Sequence, residues 1–232
     1  MSIKQTLHYF SPFEWVLWLG SVAAITLSAL LGQDFHWLSL CSSIFGVTSL
    51  IFIAKGNVVG QFLVIVFSVL YALVSLEQRY YGEMITYVFM SLPAAVCACV
   101  SWLKNPSKNA KNEVQVATMS LPKWIFLSSS SVLVTLLFFF VLRYFQTNNL
   151  PVSTLSVTTS YLASVLLIFR SRYYALAYAA NDIVLIVLWV YACFSSLSYL
   201  SMVICFCAFL FNDIYAFYNW KRIQKRQNEQ EN

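Results

Sequence analysis

Two Asn-Asp pairs lie inside long apolar stretches in the last third of the chain. Asn181 and Asp182 are enclosed by YYALAYAANDIVLIVLWVYAC, and Asn212 and Asp213 by CFCAFLFNDIYAFYNW. A carboxylate at the centre of a bilayer costs roughly 3 kcal/mol, so it normally faces a protein interior and marks a ligand site or a transport path. The alternative is that each pair only joins two helices through hydrogen bonds.

One face of the first stretch combines an acid with aromatic rings. The i, i+4, i+7, i+11 spacing of a helical face holds for Tyr178, Asp182, Leu185 and Trp189. A flat heterocycle could stack on Trp189 while its hydroxyl groups hydrogen-bond to Asp182 and Asn181. The alternative is that Trp189 only fills space in the core or faces lipid.

The second stretch presents a different polar face. Asn212 and Tyr215 are three residues apart and share a face, whereas Asp213 points elsewhere, so we rank Asp213 below them as a ligand contact. With a rise of about 1.5 Å per residue, Asp182 lies about 12 Å and Asp213 about 10 Å from the same membrane boundary. Either a ligand site or a hydrogen-bonded helix pair requires this matching depth.

Fewer polar candidates occur in the first half of the chain. Gln61 opens an apolar run and can reach either a cavity or a helix turn, and Ser68 follows two turns later. Tyr87 shares a helical face with Glu83, which is close enough to its run end to be a solvated acid. Pro93 lacks an N–H donor, which frees a carbonyl and can kink its helix.

Apolar runs long enough to cross a membrane position these residues. The chain is 60% hydrophobic and 10% charged, whereas soluble domains have roughly 25% charged residues. Eight such runs predict an all-α membrane protein, and the first has no cleavage site after it, so we treat it as a span. The runs cover 13–31, 36–54, 58–77, 81–102, 124–145, 154–169, 174–195 and 198–220.

The basic residues predict the orientation of these spans. With the N-terminus inside, only Arg79 and Arg143 of the fourteen Lys and Arg residues fall on the outer side. The net charge of +5 therefore reflects topology rather than nucleic-acid binding. Both termini, a polar loop and a frayed C-terminal tail are expected in the cytoplasm, with the chain in the inner or plasma membrane. An interfacial aromatic belt is expected from Trp15, Trp37, Trp102, Trp124 and Trp220.

The second to fourth runs align weakly with the sixth to eighth. At separations of about 115 to 118 positions, Lys55 lies over Arg170 and Trp102 over Trp220. A single linking span gives both copies the same orientation, so we predict two parallel three-helix bundles in a 3+1+3 plan with an extra N-terminal helix. The divisions are 13–31 (extra helix), 36–102 (first bundle), 103–123 (loop), 124–145 (linking helix), 154–220 (second bundle) and 221–232 (tail).

These motifs resemble the PnuC-type family of nicotinamide riboside transporters over nearly the full length of the chain. The resemblance rests on the short basic turns AKGN and FRSRYY and on AANDIVLIVLWVYA (179–192) and FNDIYAFYNW (211–220). It implies a fold like that of the SWEET sugar facilitators, a homo-oligomer such as a trimer, and facilitated uptake of a vitamin precursor that a cytosolic kinase then traps. The chain has VFSVLY (66–71) where the family commonly shows an Asn-containing sequence, which leaves thiamine, riboflavin and deoxynucleosides open as substrates.

The charge inside the runs restricts the substrate further. No Lys or Arg lies deep in a run, so the interior is acidic and favours a neutral or cationic substrate over a phosphate or carboxylate. A uniporter for nicotinamide riboside is the leading hypothesis. A proton-coupled transporter that uses Asp182 or Asp213 is an alternative, and a substrate-binding subunit of a larger uptake complex is another.

Neither an enzyme nor a metal site is predicted. No His lies deep in a run to activate a Ser or Cys nucleophile, because His8 and His36 fall near run ends. The spacing of Cys97 with Cys99, and of Cys205 with Cys207, turns each pair in different directions on a helix. We therefore expect no metal and no cofactor, and treat all six cysteines as small hydrophobic residues.

Overall fold

The computed structural model describes residues 9–31, 37–77, 81–108, 112–147, 149–194 and 200–231. These ranges are helical apart from turns and the irregular segment before Leu121, which contains one isolated antiparallel bridge between Pro106 and Val114. Eight segments within them are long and apolar enough to cross a membrane. The all-α membrane class predicted from the sequence is confirmed. The helices are α1 (Pro12–Leu31), α2 (Trp37–Ala54), α3 (Val59–Glu77), α4 (Tyr81–Thr86), α5 (Leu92–Lys104), α6 (Leu121–Tyr144), α7 (Leu150–Ile168), α8 (Tyr174–Cys193) and α9 (Leu200–Glu231).

The fourth span is not a regular α-helix. A π-helical turn, Tyr87–Ser91, joins α4 to α5, and the N–H of Leu92 bonds back five residues to the Tyr87 carbonyl. Pro93 follows at once, and its ring and missing N–H prevent the normal i→i−4 bond at this point. The backbone widens there, as π turns do at many ligand sites.

The turn after α2 and the turn after α7 have the same backbone conformation. Gly56 (φ 67°) and Arg170 (φ 58°) both adopt the left-handed region. Each donates its N–H to the residue three positions before it, Ile53 (2.8 Å) or Leu167 (3.0 Å). The matching pair is therefore Gly56 and Arg170, so the predicted alignment of Lys55 with Arg170 is wrong by one position. These turns favour an internal repeat, and the 3+1+3 plan stays a prediction.

Two of the five tryptophans expected in an interfacial belt lie in the protein core. Trp102 is 2% exposed and Trp220 is not exposed at all, whereas Trp37 and Trp124 are largely or partly exposed. The belt prediction is therefore wrong for Trp102 and Trp220. Both sit among buried residues at the end of the bundle that also carries Lys55, Lys104, Arg170, Lys221 and Arg222, which we call the basic end.

The C-terminal tail is ordered as helix, so the expectation of a frayed tail is wrong. α9 continues to Glu231, and Gln227 is buried against the segment that precedes α6. The Gln227 side chain accepts a hydrogen bond from the Val116 N–H (2.9 Å) and donates to the Val114 carbonyl (3.0 Å). Because these bonds satisfy buried backbone groups of the loop, loop and tail form one structure.

The loop also connects the two matching turns. The N–H of Val114 donates to the Gly56 carbonyl (2.9 Å), and the N–H of Ala117 donates to the Arg170 carbonyl (3.0 Å). The loop, predicted only as a polar connection, therefore crosses the basic end and contacts both turns. Predictions that concern His8, His36 and Arg79 lie outside the described residues.

Close packing of α2 against α3 depends on Gly60. A Cβ atom at this position would lie 2.8 Å from both the Ile53 nitrogen and the Ser49 carbonyl oxygen, which are backbone atoms that cannot easily move. We expect Gly60→Ala to lower the midpoint of thermal unfolding of the purified protein by several degrees, because overpacking typically costs about 1–3 kcal/mol.

Gly20→Ala is the matched control, since nothing lies within 4 Å of its added Cβ on α1. Its helix propensity should leave the midpoint unchanged or slightly higher. Equal loss of stability in both variants would contradict the packing argument.

Candidate functional site

A buried cavity of about 80 Å³ lies between α2, α3, the π turn, α5, α7, α8 and α9. This volume has room for several water molecules. Six of the nine residues predicted to bind substrate line it, namely Gln61, Tyr87, Tyr178, Asn181, Asp182 and Asp213. Trp189, Asn212 and Tyr215 do not. Substrate binding by these residues stays a prediction, but the cavity brings the six together.

One wall of the cavity is acidic. Asp182 on α8 and Asp213 on α9 are each 3% exposed, and both line the cavity. Oδ2 of Asp182 is buried without a partner among the described residues. The two acids therefore meet the cavity from adjacent helices and present a carboxyl oxygen to it.

Another wall of the cavity carries uncharged polar groups, most of them from the first half of the chain. Gln61 is fully buried on α3, and Ser68 lies two turns further along the same helix. Both amide atoms of Gln61 and the hydroxyl oxygen of Ser68 lack a hydrogen-bond partner within the described ranges, as does the Tyr174 hydroxyl. Buried polar atoms without partners are rare in native proteins, and here they converge on one cavity.

Two further polar side chains are held in place by α7. The Thr159 hydroxyl donates to Oδ1 of Asn181 (2.8 Å), and the hydroxyls of Ser164 and Tyr178 are 3.2 Å apart. These bonds fix the rotamers of Asn181 and Tyr178, so both side chains are preorganised at the cavity wall.

Aromatic rings complete the lining. Phe67, Tyr87, Phe206 and Phe209 all contact the cavity. The Phe67 ring packs edge-on against Tyr87 (centroids 5.8 Å apart) and against Phe209 (6.0 Å). Ring faces and edges in this arrangement suit a flat or cationic ligand.

Sequence reasoning missed Phe67, Tyr174, Phe206 and Phe209. A signal was present, because Phe206, Phe209 and Asp213 follow the i, i+3, i+7 spacing of one helical face. Asp213 is therefore on the cavity face of α9, and the ranking of Asn212 and Tyr215 above Asp213 does not match the geometry.

Asn212 and Tyr215 face α1 instead. The Asn212 amide donates to the Ser21 hydroxyl (3.3 Å) and to the Ala208 carbonyl (2.8 Å). The Tyr215 hydroxyl donates to Oε1 of Glu14 (2.6 Å). A shift of one residue turns a helical side chain by about 100°, so the neighbour of a cavity residue meets the extra N-terminal helix.

Glu14 joins three elements of the basic end. It is 1% exposed and accepts hydrogen bonds from Tyr215 on α9 and from the Lys55 ammonium (3.0 and 3.1 Å) in the turn after α2. The hydrogen bond from the Tyr215 hydroxyl to Glu14 therefore anchors α1 to α9.

Trp189 packs in an apolar cluster beyond the cavity. It is buried with Leu185 on its own helix and with Phe206 on α9. This placement matches the alternative in which Trp189 fills space in the core.

The cavity can therefore hold a small polar ligand with positive or no charge. Among the described residues no Lys or Arg side chain lines it, and no group of three or more His, Cys, Asp or Glu side chains is placed to bind a metal. An anion would meet two carboxyl groups with no basic partner, which low-dielectric surroundings make costly.

Comparison with known proteins identifies relatives of similar length. A family model described as "Nicotinamide mononucleotide transporter" matches residues 36–222. A nicotinamide riboside transporter PnuC from Haemophilus influenzae is 26% identical over 220 residues, covering 94% of each chain. A protein of the same name from Neisseria mucosa is 24% identical over 225 residues, which cover 95% of this chain and 85% of that protein.

A solved structure shares the fold. The crystal structure of the vitamin B3 transporter PnuC matches with a TM-score of 0.80 at 24% identity, covering 94% of both chains. The helical arrangement described above is therefore one that an experimentally determined membrane transporter adopts.

The contacts of Glu14 generate a test of what Tyr215 does. We expect Glu14→Ala to lower the stability of the purified protein by about 1–3 kcal/mol, because it leaves the Lys55 ammonium and the Tyr215 hydroxyl without their acceptor. Tyr215→Phe should cost about 1 kcal/mol through the loss of one hydrogen bond. Chemical or thermal unfolding measures both.

Glu229→Ala is the control, because its 3.7 Å pair with Lys225 is exposed and such pairs contribute little. If Tyr215→Phe keeps the stability of the parent protein but loses ligand affinity, Tyr215 contributes to ligand binding rather than to the anchoring of α1.

Proposed function

Because the chain belongs to the nicotinamide mononucleotide transporter family, we propose that it takes up nicotinamide riboside as a facilitator. The resemblance noted from its motifs is confirmed at the family level, and the protein is a multi-pass membrane transporter rather than an enzyme. The observation that carries the choice of substrate is the Asp182 and Asp213 pair in an aromatic cavity whose described lining residues include no Lys or Arg.

The charge of the cavity favours a riboside over its mononucleotide. Nicotinamide riboside carries a pyridinium cation, which gains from carboxyl groups and from ring faces. A mononucleotide adds a phosphate, whose recognition normally uses Arg or Lys side chains or the N–H groups at a helix N-terminus. Since no Lys or Arg lines the cavity within the described residues, the phosphate would lie near two acids without a partner.

The uncharged wall provides partners for the rest of the molecule. The carboxamide and the ribose hydroxyls need donors and acceptors once water is removed. Gln61 offers both in one side chain, and the hydroxyls of Ser68 and Tyr174 add groups that can donate or accept. The cavity thus combines a place for a cation with hydrogen-bonding groups for a sugar.

Transport would alternate access to this cavity between the two faces of the membrane. Residues 36–102 and 154–220 each contribute to the lining, so a rocking motion of one bundle against the other would open it on either side. Uptake by the purified protein in liposomes tests this against the binding-subunit alternative. Uptake that persists after collapse of the proton gradient would remove the proton-coupled version.

We further propose that both termini lie in the cytoplasm and that the chain sits in the inner or plasma membrane. The basic end holds Lys55, Lys104, Arg170, Lys221 and Arg222, as the positive-inside rule expects of a cytoplasmic face. Assembly as a homo-oligomer, such as a trimer, also belongs to this proposal.

A calorimetric panel tests the substrate directly. We expect nicotinamide riboside to bind more tightly than thiamine, and both to bind more tightly than riboflavin, deoxynucleosides or nicotinamide mononucleotide. The physical reason is the acidic pair, which favours cations and disfavours phosphate. Tighter binding of the mononucleotide than of the riboside would overturn the charge argument.

Replacement of one acid isolates its electrostatic contribution. Asp182→Asn should weaken binding of nicotinamide riboside about 10- to 100-fold, because hydrogen bonds and contacts to a charged group are worth about 1.5–3 kcal/mol. Dihydronicotinamide riboside has almost the same shape but no ring charge, so the variant should bind it nearly as well as the parent protein does. Titration calorimetry measures both ligands.

Glu229→Gln, which removes an exposed carboxylate on α9, is the matched control and should bind both ligands normally. An equal loss for the cationic and the neutral ring in Asp182→Asn would assign Asp182 a packing role instead.

A further inference from the structure

Four hydrogen bonds connect the two bundles at the basic end in two matching pairs. The indole N–H of Trp102 on α5 donates to the Leu167 carbonyl on α7 (3.2 Å), and that of Trp220 on α9 donates to the Ile53 carbonyl on α2 (2.9 Å). One residue before each tryptophan, a second bond repeats the pattern. These bonds run from Ser101 to the Ile168 carbonyl and from Asn219 to the Ala54 carbonyl, both at 2.8 Å.

The tryptophans lie next to residues that line the cavity. Ile53 and Leu167, whose carbonyls accept the indole bonds, both line it. The two indole rings are 5.4 Å apart between centroids, and the Tyr174 ring, also part of the lining, is 4.8 Å from Trp220. The pair therefore forms a buried layer between the cavity lining and the basic end.

The acceptors of these indole bonds keep a partner when the bonds break. The Ile53 carbonyl also accepts the N–H of Gly56, and the Leu167 carbonyl that of Arg170, within their own turns. A carbonyl has two lone pairs, so neither would be left unsatisfied if the bundles separated. On the acceptor side, therefore, these bonds can break without leaving a buried carbonyl unpaired, as a contact that opens and closes requires.

We propose that Trp102 and Trp220 form the gate at the basic end, closed in this structure, which opens when the two indole–carbonyl bonds between the bundles break. Each bundle supplies one tryptophan and one acceptor, so the gate opens only if the bundles move apart at this end. The proposal rests on the family's transport activity but not on the identity of the substrate.

Access to the cavity from one side of the membrane tests the gate. The six native cysteines are replaced by alanine, and Ser160→Cys places a single thiol in the cavity lining. A small membrane-impermeant cationic methanethiosulfonate is applied to either face of reconstituted vesicles. A separate Glu229→Cys protein, labelled on the exposed end of α9, shows which face is the basic end.

We expect Trp102→Phe and Trp220→Phe each to raise the rate of Ser160→Cys modification from the basic end about fivefold, the effect of losing one hydrogen bond on a two-state equilibrium. Phe keeps an aromatic ring but has no N–H donor. Trp18→Phe is the matched control, because it removes an indole bond of 3.0 Å to Thr48 away from the gate. The control should not change the rate.

Two further variants distinguish the loss of a bond at the gate from a general folding defect. Ser101→Ala and Asn219→Ala keep both indoles, remove the second bond of each pair, and should also raise the rate from the basic end. Unchanged modification from that end in all four folded variants, or an equal rise in Trp18→Phe, would overturn the gate. Because no substrate is used, failure of riboside uptake would count against the proposed function alone.

Discussion

Two carboxyl groups held in hydrocarbon are the constraint on which this structure depends. Lipid cannot solvate Asp182 and Asp213 at their depth, so the bundle must surround them with protein groups. It does so by packing α8 against α9, which places the acids side by side at 3% exposure, and by closing the cavity with aromatic rings from both halves of the chain. In the proposed function, the same enclosure strengthens the attraction between the acids and a cation, because charge interactions are strong where the dielectric constant is low.

The cavity is asymmetric although two backbone turns beside it have matching conformations. The turn at Gly56 matches the turn at Arg170. The same number of residues separates Gly56 from Ser68 and Arg170 from Asp182, so Ser68 and Asp182 occupy equivalent positions relative to the two turns. Both halves supply amide and hydroxyl groups, but among the described lining residues only the second half supplies carboxyl groups. A cationic ligand can thus take a single orientation in the site.

At the basic end, residues that stabilise the packing lie next to residues of the proposed gate. The tail of α9 and residues 112–117 of the loop lie across this end, while Glu14 connects α1 to it. Beneath them, the indoles of Trp102 and Trp220 bond across the bundles to carbonyls at the cavity wall. An opening motion at this end would have to break these indole bonds between the two halves. The contacts of Glu14, in contrast, hold α1 in place.

Composition and helical spacing alone determined the membrane class, the eight spans, the acidic interior and six of the nine candidate residues that line the cavity. These follow from local physics: the length of an apolar run, the cost of a carboxylate in lipid, and a turn of 100° per residue. Only the tertiary structure decided that Asp213 faces the cavity while Asn212 and Tyr215 face α1, and that Trp102 and Trp220 are core residues rather than a belt. α9 carries polar groups on two faces. Helical spacing shows that the faces differ, but which neighbouring helix covers each face depends on how the helices pack.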